Sequence, residues 1–89
     1  MNKRLFVARL PWSVNDATLR DLFAPYGEII FARVNLDRET GRSKGFGFVE
    51  FKDANDARNA MESLNGSTVE GRQIVVNIAK PQENRQAQR

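Results

Sequence analysis

The sequence predicts a small α+β domain with the element order βαββαβ: a four-stranded antiparallel sheet carrying two helices on one face. Three observations predict it. Four segments alternate in side-chain character with the period of two expected of strands. Two other segments carry apolar residues at helical spacing behind a residue suited to cap a helix. Two short helices can cover only one face of a four-stranded sheet, so the other face is left bare.

The first strand covers residues 5–10, with Leu5 and Val7 on one face and Phe6 and Ala8 on the other, and Pro11 ends it. Asn15 suits the N-cap of a helix over 16–24, whose apolar stripe is Leu19, Leu22 and Phe23 and whose stop is Pro25 and Gly27. The second strand, 29–36, sets Ala32, Val34 and Leu36 against Phe31, Arg33 and Asn35. A polar loop, Asp37 to Ser43, leads to the third strand at 44–51. Asp53 caps a second helix over 54–64 with Ala57, Ala60, Met61 and Leu64 inward, and Asn65-Gly66 stops it. A turn is expected at Glu70-Gly71, then a fourth strand over 74–79 with Ile74, Val76 and Ile78 inward. Residues 1–80 form the expected domain, and the polar residues 81–89 a disordered tail.

The third strand carries the most information. One of its faces holds Gly45, Gly47, Val49 and Phe51 and reads as core; the glycines let another element approach closely. The other holds Lys44, Phe46, Phe48 and Glu50. Charged groups are rarely buried without partners, so this second face belongs to solvent and exposes two phenylalanines. Each forgoes roughly 1.5–3 kcal/mol of burial. Aromatic cross-strand pairing returns only about 0.2–1 kcal/mol. The face therefore calls for a ligand or a cover. Phe6 and Phe31 fall on the same bare face by alternation.

Composition narrows the chemistry. The 89 residues allow one domain with a modest core. With no Cys there is no disulfide, thiolate nucleophile or Cys-ligated zinc. With no His the commonest general base and metal ligand are missing. No cofactor, metal or small-molecule substrate is expected, and Gly45-Phe46-Gly47 lies in a strand rather than at the strand-to-helix turn of a dinucleotide site. No apolar run suits a signal peptide or a membrane span. The absence of Cys fits a reducing compartment, and the expected location is the cytoplasm, or a nucleus or organelle in a eukaryote.

Lys and Arg outnumber Asp and Glu by 14 to 11, and the excess is segregated. Residues 1–9 hold Lys3, Arg4 and Arg9 without an acid, whereas residues 50–70 hold Glu50, Asp53, Asp56, Glu62 and Glu70 against Lys52 and Arg58. Such segregation fits either an anionic partner on one side or an unevenly charged solvated surface.

Lys44 to Phe51, KGFGFVEF, matches at every specified position the signature K/R-G-F/Y-G/A-F-V-x-F/Y of the RNA recognition motif. Leu5 to Leu10 resembles the second motif of that family, with Arg9 where an Asn is usual. The resemblance spans about residues 3–80 and implies the ferredoxin-like arrangement with strand order 4-1-3-2. It further implies that Phe6 and Phe48 each stack a base, that Phe46 packs against sugars, and that Lys44 meets a phosphate. Phe31, Arg33, Asn35, Val75 and Asn77, and backbone groups near Ala79 and Lys80, would tune sequence choice.

Arg42, Arg33 and Arg9 are candidate further phosphate contacts, with Arg9 read rather as a surface charge near the end of the first strand. Trp12 is expected to pack at the sheet edge rather than to meet a base. Phe31 is either an extra stacking ring or a cation–π neighbour of Arg33. The expected partner is single-stranded RNA, with single-stranded DNA open. The chain is expected to act as a monomeric RNA chaperone or post-transcriptional regulator, binding with modest sequence preference. The alternative is a protein–protein module using the sheet or helix face.

Overall fold

The computed structural model describes residues 3–79, and for Ser43 and Lys44 the backbone alone. The expected tail and Lys80 lie outside the described residues. In chain order the elements are β1 (Arg4–Ala8), α1 (Asp16–Phe23), β2 (Ile29–Leu36), β3 (Ser43–Phe51), α2 (Ala54–Leu64), β4 (Thr68–Val69), β5 (Arg72–Gln73) and β6 (Val75–Ile78). A four-stranded antiparallel sheet runs β2-β3-β1-β6. With β6 as the fourth main strand, this is the expected 4-1-3-2 order.

Both helices start where the sequence places a cap. The Asn15 side chain accepts from the Thr18 N–H at 2.8 Å and the Thr18 hydroxyl at 2.9 Å. Asp53 accepts from the Asn55 N–H at 2.7 Å. Each satisfies a donor that the first helical turn leaves without an intrahelical partner. Leu19 and Phe23 of α1, and Ala57, Ala60 and Leu64 of α2, are buried on the inner sheet face against Leu5, Val7, Val49, Phe51 and Val76. Phe23 meets Phe51 edge-on, ring centroids 6.3 Å apart. The core is thus one layer thick, and the opposite sheet face has no helix over it.

The helix ends also fasten the sheet edges. The Asp16 carboxylate accepts from the backbone N–H of Val34 on outer strand β2 at 2.7 Å. The Asn65 side chain accepts from the Val76 N–H on β6, the other outer strand, at 2.9 Å. Edge strands with open backbone groups invite pairing with other chains; each of these side chains closes one such group.

Several expectations need correction. β1 stops at Ala8, because Arg9 adopts a left-handed φ of 62°; Leu10 is buried beyond it. Leu36 does not continue the inward row of Ala32 and Val34. The β2/β3 register shifts between Val34 and Leu36, and Leu36 is 56% exposed. β4 and β5 form a small hairpin not anticipated from sequence. Its turn is Glu70-Gly71, both with positive φ, as a type I′ hairpin turn requires. Gly47 admits a close neighbour, as expected, and that neighbour is the backbone of β2: a Cβ there would collide with the Arg33 carbonyl oxygen and lie 3.0 Å from the Val34 Cα.

Candidate nucleic-acid interface

The strand registers place the open face in cross-strand rows. The central row is Asn77, Phe6, Phe48 and Arg33, on β6, β1, β3 and β2 in turn. On one side lies a row of Val75, Ala8 and Phe46. On the other lies a row of Arg4, Glu50 and Phe31, next to which the Ala79 N–H donates to the Arg4 carbonyl at 2.9 Å.

Phe6 is the hub of an aromatic cluster. Its ring centroid is 5.5 Å from that of Phe48 and 5.7 Å from that of Phe46, both tilted. Such spacing is favourable for aromatic pairs. It also fixes the rings relative to one another while leaving all three only half-buried. Leu5, Val7, Val49 and Phe51 point the other way into the core, so the platform stands on a rigid base. The glycine at 47 lets the edge strand bring Arg33 beside Phe48.

The row at Arg4 differs from expectation. Phe31 is paired with Arg4, not Arg33: the Arg4 guanidinium reaches across β3 to lie 5.2 Å from the Phe31 centroid. The same guanidinium donates through two nitrogens to Glu50 Oε1, at 3.1 and 3.3 Å. One face of Phe31 is therefore capped by a cation, and Arg4 has its charge balanced by Glu50. Arg33 is exposed, as is Arg4. Arg4 was not among the residues singled out from sequence. Alternation alone puts it on the face of Phe6, and an antiparallel Phe6–Phe48 pair places it opposite Glu50.

The remaining candidates spread outward from the platform. Asn77 and Arg9 are exposed, and Asn35 is half-buried in the irregular end of β2. The side chain of Lys44 lies outside the described residues, as does Lys80. Arg42 and Trp12, expected to have separate roles, are brought together, with the guanidinium 5.7 Å from the indole centroid. Trp12 is 70% exposed and is not packed at the sheet edge. Among the described residues, no group of three or more His, Cys, Asp or Glu side chains is placed to hold a metal ion, and no helix is long and apolar enough to cross a membrane.

Comparison with known proteins agrees with this geometry. The model of the RNA recognition motif matches residues 5–75. Glycine-rich RNA-binding protein 2, mitochondrial, of Arabidopsis thaliana is 48% identical over 79 residues, which is 89% of this chain and 50% of that protein. The chain thus spans about half the length of this relative. Among solved structures, RNA binding protein PG1 superposes with a TM-score of 0.84 at 44% identity, covering 90% of this chain and 99% of that one. A Sex-lethal protein–RNA complex superposes with a TM-score of 0.86 at 37% identity, covering 91% of this chain and 48% of that one. Proteins of this kind are binding modules rather than enzymes, and the match covers both strands that carry the aromatic cluster: the chain belongs to the RNA recognition motif family.

Proposed function

We propose that the domain binds a few nucleotides of single-stranded RNA across the open sheet face. Phe6 and Phe48 each stack a base, and Phe46 packs against the sugars between them. The observation that carries this reading is the three-ring cluster, held at 5.5–5.7 Å spacing and left half-exposed on a helix-free face. Bases within a duplex hide their faces in the stack, so the ligand is single-stranded.

Stacking is worth about 1–3 kcal/mol per base. Two bases then supply roughly 2–6 kcal/mol, short of the ~8 kcal/mol of a micromolar complex. Phosphate contacts supply much of the difference, from Arg33, Arg42, Lys44 and Arg9. Asn77, Asn35, Phe31 with its Arg4 cap, and the backbone near Ala79 and Lys80 adjust which bases are preferred. The biological role that follows is that of an RNA chaperone or a regulator of transcripts.

Competition tests the ligand class. Unlabelled single-stranded RNA should displace a labelled RNA oligonucleotide, and the same sequence annealed into a duplex should not. Equal competition by the duplex would contradict base stacking. Single-stranded DNA in the same assay measures the contribution of the 2′-hydroxyls.

A further inference from the structure

Glu50 and Arg4 border the aromatic cluster. Glu50 lies two residues beyond Phe48 on β3, Arg4 lies two residues before Phe6 on β1, and the two face each other across the strands. A base lying flat on either ring can turn one edge toward them. The pair is ordered before any ligand arrives. Arg4 Nε and Nη2 both donate to Glu50 Oε1, and the guanidinium lies over Phe31. Among the described residues, Glu50 Oε2 and Arg4 Nη1 have no hydrogen-bond partner, and both side chains reach solvent.

We infer that the Arg4–Glu50 pair selects guanine among the bases that stack on the rings beside it. The inference rests on the reading that the open sheet binds RNA, and it adds which base the sheet prefers.

A carboxylate only accepts hydrogen bonds, and a guanidinium only donates them. Across the pair, Oε2, Oε1 and the unused guanidinium N–H groups offer acceptor, acceptor, donor. The Watson–Crick edge of guanine is the complement: its 2-amino group and N1–H donate, and O6 accepts. Adenine and cytosine each bring one amino donor beside one ring-nitrogen acceptor, and so leave one group of the pair unmatched. Uracil sets a carbonyl on each side of its N3–H, and one of those oxygens must then face Glu50 Oε2. The order is therefore guanine first, adenine and cytosine next, uracil last. Arg4 alone points the same way, because a guanidinium donating twice to O6 and N7 is the commonest specific contact to guanine. The exposed amide of Asn77, opposite Phe6, both donates and accepts and imposes no such order.

The charge of Glu50 acts on the phosphates of every sequence alike. A ratio of affinities between sequences therefore isolates the reading of the base. The experiment measures, by anisotropy competition, a short oligouridine and the same strand carrying one central guanosine, inosine, adenosine or cytidine. Wild type, Glu50→Gln, Arg4→Ala and Phe46→Ala/Phe48→Ala are compared. The guanosine strand should bind wild type more tightly than oligouridine by about 5- to 150-fold, the discrimination of one good bidentate contact. Inosine lacks the 2-amino group and should fall between the two. Glu50→Gln should lose most of the ratio, because an amide there supplies one acceptor and adds a donor. Arg4→Ala should lower it as well. The double Phe variant should weaken all five strands.

If wild type binds the five strands equally and the double Phe variant binds none, the guanine assignment is wrong and the sheet reading stands. A guanosine preference that survives intact in Glu50→Gln, or one that inosine keeps in full, would also overturn the assignment. If wild type binds no strand, both readings fall together.

Discussion

Arg4 and Glu50 face each other across the two central strands and join at 3.1 Å on the same surface as the aromatic cluster. On the proposed reading this face approaches phosphates, where a carboxylate is unfavourable unless its charge is balanced, and Arg4 balances it. Both side chains keep access to solvent, 53% for Arg4 and 25% for Glu50. The pair is therefore worth little to the fold, on the order of 0–1 kcal/mol. Its effect should show in binding instead. Glu50→Gln should leave the melting curve nearly unchanged, tighten RNA binding at low salt, and steepen the salt dependence by up to about 0.7 in log–log slope as Arg4 is released. A shallower slope in the variant would show that Glu50 contributes favourably to the ligand.

Phe51 and Phe48 test the assignment of faces. They lie three residues apart on β3, but Phe51 is fully buried against Phe23 and Phe48 is half-exposed. Phe51→Ala should cost about 3–5 kcal/mol of stability by opening the core. Phe48→Ala should lower stability far less and remove about 1–3 kcal/mol of RNA binding. Chemical denaturation and binding titration of the two variants check both halves.

Arg9 holds a left-handed φ of 62° that costs an ordinary L-residue roughly 1–2 kcal/mol. Asn tolerates that conformation better. Arg9→Asn should therefore raise stability by up to about 1 kcal/mol, measured by denaturant midpoint. The same variant decides the role of the charge: a phosphate contact predicts a flatter salt dependence of binding, and a plain surface charge predicts none.

Asp16→Ala removes the acceptor for the Val34 N–H. A loss of about 1–2 kcal/mol in stability is expected for leaving that part-buried donor without its partner. Faster amide exchange at Val34 than in wild type should accompany it. Unchanged exchange would mean that the bond contributes nothing to closing the edge.

The sequence revealed the sheet faces because the signals there are local. Phe46 and Phe48 alternate along β3 with Gly47 and Val49 and share a face with Glu50, a pattern readable from the strand's own residues. The caps at Asn15 and Asp53 were equally local. What escaped depended on partners far apart in the chain. Arg4 reaches Phe31 over an intervening strand, which requires the register of three strands at once. Leu36 departs from its alternation only because the pairing with β3 becomes irregular after Val34. The β4–β5 strands have two residues each, too few to show a period. Trp12 sits in a connection, where no periodicity tells which way a side chain points.

The proposed function places RNA on the aromatic face of the sheet. Its most direct test is the affinity of a labelled single-stranded RNA for wild type and for Phe46→Ala/Phe48→Ala, at two salt concentrations. The predicted result is salt-sensitive binding by wild type and, in the double variant, a loss of at least the about 1–3 kcal/mol of the base stacked on Phe48, with the fold retained. Binding of the double variant at wild-type strength would contradict the claim.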